Sequence, residues 1–231
     1  MEPTNQTQAQ VEDTTLENLQ TLVETIKAEN WTEFGFLVFR TDYSNEDIWA
    51  QFLEECNEIL EEGIENAPAE SGLSRVAECV FMKIVDDDSL ANELAERVAF
   101  AYRLCAEDME DDEPGDRLVA GLQMRMCLMV DGDCIRSVVG SGSGGEDGVP
   151  SVKAVDVTLG LDGVDGVDGG LDYSGVFRVA IRSLITKLYP ALLACHRTGD
   201  LMPADGGVWK GVQAAPFYAE KEVREIDRLL K

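Results

Sequence analysis

From Phe34 to Phe39 the chain reads Phe-Gly-Phe-Leu-Val-Phe without one polar side chain, the pattern of a strand covered on both faces. Asp42-Tyr43-Ser44-Asn45 then breaks the run with turn formers. Ser44 and Asp47 make a capping-box pattern, and Tyr43 and Ile48 flank it as a hydrophobic staple. Ile48, Phe52, Leu53, Cys56, Ile59, Leu60 and Ile64 recur at helical spacing, with Glu54, Glu55, Glu58, Glu61, Glu62 and Glu65 opposite them. Residues 31–52 therefore predict a strand running into an amphipathic helix.

The same reading predicts the remaining elements. Thr14 and Glu17 cap a helix over 16–29, with Leu16, Leu19, Leu22, Val23 and Ile26 as its stripe. A loop at 65–72 precedes a strand over 78–85. Asp86-Asp87-Asp88 closes that strand, and Ser89 caps a helix carrying Leu90, Leu94, Val98, Tyr102 and Cys105. Strands follow over 122–130 and 152–158, with a short helical turn at 134–139, and 176–182 is a fifth strand candidate that runs into an apolar stretch equally open to a helix throughout. Leu184, Leu188, Leu192 and Cys195 resume helical spacing, which Pro190 kinks or restarts. A short helix covers 219–231.

Residues 1–13 are polar and expected to be disordered. Residues 14–231 are expected to form a single domain. Loop insertions fall in it at the acidic run 107–116, the Gly/Ser-rich 140–149 and the Gly/Asp-rich 160–172. Two strand–helix passages with intervening strands predict an α+β fold: a mainly antiparallel sheet, helices on one face, and a ferredoxin-like core.

Charge changes the picture. The chain has 231 residues and a formal net charge of −26, unevenly placed. Residues 1–116 hold 30 Asp/Glu against 6 Lys/Arg, and residues 117–231 hold 15 against 13. That field repels nucleic acid and fits a basic protein partner. No run approaches the ~18 apolar residues of a membrane span. With no basic, apolar leader at the start, the expectation is a cytoplasmic protein.

Catalytic signatures are sparse. His196 is the single histidine, and its neighbour Cys195 diverges from it by about 100° on a helix. Six cysteines lack knuckle spacing, so no metal site and no cofactor is expected. No catalytic residue is assigned, and the protein leans towards a non-enzyme. One pattern stands out: nearly every predicted strand carries a basic residue, namely Arg40, Lys83, Arg125, Lys153, and Arg178 with Arg182. Gathered on one sheet face, Arg40, Arg125, Arg178 and Arg182 would be candidates for binding a carboxylate or phosphate.

The wording of residues 31–49 resembles a family of uncharacterised proteins from filamentous ascomycete fungi, with the block W-x-x-F-G-F-x-x-[FY]-R-[TC]-x-Y-x-[ND]-[DE]-x-x-W. Here Trp31, Phe34, Gly35, Phe36, Phe39, Arg40, Thr41, Tyr43, Asn45, Glu46 and Trp49 carry it. Val85-Asp86-Asp87 and the stretch from Cys127 to Asp131 are similar in a lesser degree. The resemblance implies a fungal α+β domain and transfers no catalytic or ligand-binding residue. The sequence thus predicts a protein-interaction domain with an acidic N-terminal half. The alternative is an enzyme or accessory factor for a small anionic molecule, as in secondary metabolism.

Overall fold

The computed structural model describes residues 5–111, 121–139, 148–161, 174–194, 198–203 and 206–211, with side chains described for all of these except 5–14 and 108–111. The predicted terminal helix over 219–231, His196, Cys195 and most of the two Gly-rich insertions lie outside the described residues.

Helix α1 (Asn5–Ala28) starts well before Leu16, so the backbone of 5–13, expected to be disordered, is helical. Gln6, Gln8, Ala9, Gln10 and Glu12 all tolerate a helix, and no Gly or Pro interrupts them. There follow β1 (Phe34–Arg40), α2 (Glu46–Glu65), β2 (Val80–Val85), α3 (Ala95–Asp111), β3 (Gly121–Leu122), β4 (Met126–Val130), α4 (Gly132–Val139), β5 (Ser151–Asp156), β6 (Val176–Ala180) and α5 (Tyr189–Ala194). The first part of the acidic run expected to be a loop therefore belongs to α3.

The α+β class holds: helices pack on a six-stranded mixed sheet in the order β2-β1-β4-β5-β6, with β3 beside the start of β1. Two finer expectations are corrected. First, β1 runs parallel to β2, β3 and β4, and only β4–β5 and β5–β6 are antiparallel. Long helical crossovers join β1 to β2 and β2 to β4, and such connections are what parallel neighbours need. A ferredoxin-like core, whose sheet is antiparallel, is not formed. Second, helices cover both faces. The passage from β1 to β2 moves one way along the sheet, and that from β2 to β4 returns past β1. Crossovers of one hand then put their helices on opposite faces.

Strand alternation divides the core accordingly. Phe36 and Val38 of β1 join Leu128 and Val152 beneath α1, α2, α4 and α5. Leu37 and Phe39 join Met129 and Val155 beneath Val98 and Tyr102 of α3. Gly35 is required where the strands meet, because a Cβ there would come within 1.8 Å of the Phe81 carbonyl oxygen.

Local chemistry moved several boundaries. Asn45, not Ser44, caps α2 by accepting from the Asp47 and Ile48 amides at 3.0 and 3.1 Å. Ser44 instead donates its amide to Asp42, closing a turn. Trp49 takes the buried position and stacks on Phe52, leaving the expected staple residue Ile48 exposed. Asp87 caps a short turn over Asp88–Leu90, and Asn92 enters the left-handed region at φ 59°. That residue delays α3 to Ala95 and leaves Leu94 72% exposed. The strand expected over 122–130 breaks between Leu122 and Met126, where Gln123 accepts from the Arg125 amide. Around Pro190, which has no amide hydrogen to give, the helix widens to a π-turn over Leu184–Leu188 before α5.

Candidate functional site

β1 and β4 are adjacent parallel strands whose chains leave in opposite directions along the sheet, β1 by a crossover to β2 and β4 through α4 to its antiparallel neighbour β5. In open α/β sheets the crevice beyond the carboxyl ends of such a pair is where ligands bind. Each strand ends there on an aspartate: Asp42 follows β1 after Thr41, and Asp131 follows β4. The Thr41 amide and hydroxyl both donate to the Val130 carbonyl, at 2.9 and 3.2 Å, and lock the two ends together.

A cleft of about 570 Å³ opens at this point. Met129 and Val176 give it an apolar floor. Asn92 to Glu96 form one wall, the start of α4 another, and Lys153 of β5 closes the side. The Asn92 amide donates to the Thr41 carbonyl at 2.8 Å, so the wall before α3 is tied to the end of β1.

The polar groups divide into a fixed pair and open carboxylates. Asp131 Oδ1 caps α4 by accepting from the Asp133 and Cys134 amides, each at 3.1 Å, and its Oδ2 pairs with Lys153 Nζ. Burial alone would raise the Asp131 carboxyl, but Lys153 and the bonds from Cys134 outweigh it and hold the group below its ordinary value. Lys153 mirrors this: burial would lower it, and Asp131 holds it above its ordinary value. Arg136 pairs with Asp133 at the rim.

Asp42 lies against the backbone of Gly132, where a Cβ would come within 2.6 Å of its Oδ2. Hydrogen bonds from Ser44 keep Asp42 below the usual carboxylate range, helped by Arg136 and Arg40. Glu93 and Glu96 are exposed on the α3 wall and form no ion pair among the described residues. The lining thus holds five carboxylates against two cations, both cations already engaged.

The basic strand residues take other places. Arg40 is the most deeply fixed, its side chain 2% exposed. It forks onto both Glu46 oxygens at 2.7 and 3.0 Å, donates Nε–H to the Asp42 carbonyl at 2.8 Å, and lies between the rings of Tyr43 and Trp49. Arg125 reaches the Leu192 carbonyl at 2.8 Å. Arg178 clasps Ser151 Oγ at 2.7 and 3.2 Å. Arg182 pairs with Glu62 at 3.4 Å beside a smaller cavity of about 190 Å³.

These four arginines do not converge, and none lines the larger cleft. By register Lys83, Lys153 and Arg178 share the α3 face, while Arg40 takes the opposite one. Of the basic strand residues, only Lys153 reaches the cleft. Asp42, Glu93, Glu96 and Asp131 had not been singled out. The available signal was an aspartate just past the ends of β1, β2 and β4, at Asp42, Asp86 and Asp131.

Among the described residues, no three or more His, Cys, Asp or Glu side chains gather to hold a metal ion. Burial pushes the Cys56 and Cys134 thiols up to about 12, away from nucleophilic chemistry. No described helix is long and apolar enough to cross a membrane. Comparison with known protein families, with curated proteins and with solved structures found no match to this chain.

Proposed function

We propose that the chain is a binding protein for a small amine with a short apolar stem, held in the cleft between β1 and β4. The observation that carries this reading is the coincidence of a cleft of about 570 Å³ with the switch point of the sheet. Clefts of about 300–1,000 Å³ are the size that small ligands occupy. Its polarity supports a cation: the two basic side chains are engaged by Asp131 and Asp133, Asp42 accepts from Ser44, and the exposed Glu93 and Glu96 are left to face the ligand. Met129 and Val176 would take the stem. The acidic N-terminal half adds a long-range field that draws cations in.

The test is thermal unfolding with three ligands of one stem: hexylamine, hexanol and hexanoate. Hexylamine should raise the midpoint in a concentration-dependent way, hexanol weakly and hexanoate not at all. The exposed pair Glu93→Gln/Glu96→Gln should remove most of the rise while leaving the unliganded midpoint in place. Stabilisation by hexanoate equal to that by hexylamine would overturn the proposal.

A further inference from the structure

The two edges of the sheet are finished differently. Beyond β6, Trp209 pairs with Val179, donating to the Arg178 carbonyl and accepting from the Ala180 amide. That edge is closed by the chain itself. At the other edge, β2 pairs with β1 alone. Among the described residues, the Val80 amide turns back to the Ala77 carbonyl, and no hydrogen bond reaches the outward amides and carbonyls from Phe81 to Val85. Burial agrees: all seven residues of β1 are buried, and none of the six of β2 is.

β2 is a template for another strand. A bare strand edge supplies main-chain donors and acceptors to an extended segment, and the side chains on either face set the preference. Val80, Met82 and Ile84 lie on one face and Phe81 and Val85 on the other, all half-buried. Exposed acids stand at both ends, Glu78 before the strand and Asp86, Asp87 and Asp88 after it.

That arrangement selects the occupant. A second copy pairing antiparallel across a two-fold axis would set Glu78 of each chain near Asp87 or Asp88 of the other, between molecules of net charge −26. Like charges placed opposite each other disfavour that pairing. We propose that β2 binds an extended, apolar segment of a partner protein with basic residues at both its ends, which adds a seventh strand beside Val80–Val85. This surface is separate from the cleft, and the inference does not depend on what the cleft holds.

Hydrogen–deuterium exchange on the whole chain tests it. The probe is a blocked peptide with a valine and threonine centre flanked by lysines, compared with the same peptide N-methylated at alternate positions. The unmethylated peptide should slow exchange of the outward amides from Phe81 to Val85, and the methylated one should not. Glu78→Lys/Asp88→Lys, both at exposed positions, should weaken the protection roughly tenfold. Equal protection by the methylated peptide would reduce the interaction to charge alone and sink the proposal. No protection of β2, or protection without peptide in a sample that sediments as a dimer, would sink it equally.

Discussion

Lys153 reaches past its register partner Met129 to pair with Asp131, the residue that caps α4. One carboxylate thereby fixes the end of β4, the start of α4 and the side chain of β5. Asp131→Asn keeps a capping oxygen but loses the ion pair, and Lys153→Met leaves a half-buried carboxylate unpaired. The second change should be the worse, at about 1–3 kcal/mol. Chemical denaturation of both variants checks the order.

The same pair dictates two pH slopes. The Asp131 carboxyl sits below its ordinary value when folded, so its contribution is complete above about pH 4 and is lost as pH falls through the folded value. Lys153 sits above its ordinary value. Its contribution is complete below about pH 10 and is lost as pH rises through the folded value. Unfolding free energies measured across pH should flatten at both ends in Asp131→Asn relative to the parent.

Arg40 is a structural residue in this fold, gripped by Glu46 and stacked between Tyr43 and Trp49. Arg40→Lys keeps the charge but loses the fork and the flat stacking surface. A loss of about 2 kcal/mol in denaturant is expected, with hexylamine binding retained. Loss of ligand binding at full stability would instead place Arg40 in the cleft chemistry.

Gly35→Ala should be among the most damaging single changes, because the added methyl meets the Phe81 carbonyl. A loss above about 3 kcal/mol, or failure to fold, is expected. Circular dichroism and expression level read it out.

The legible parts of the sequence were those with one strong period. β1 is apolar at almost every position and was read to within one residue. Its parallel pairing was not legible, because a fully apolar strand fits both kinds of neighbour. The helix starts at Glu46 and Ala95 were set by single residues: Asn45, which caps in place of the neighbouring Ser44, and a left-handed Asn92. The site was missed for a different reason. Basic residues in apolar strands attracted notice by contrast, yet Arg40 is consumed by its neighbours. Asp42 and Asp131 become a pair only once β1 and β4 lie side by side.

The most direct measurement is a titration with hexylamine followed by amide chemical shifts. The largest changes should fall on Thr41, Asp42, Asn92 to Glu96, Asp131 to Arg136, Lys153 and Val176, and saturate together. Changes spread evenly along the acidic face of α2 at Glu54, Glu58, Glu61 and Glu65, with the cleft amides unmoved, would contradict a binding site at the switch point.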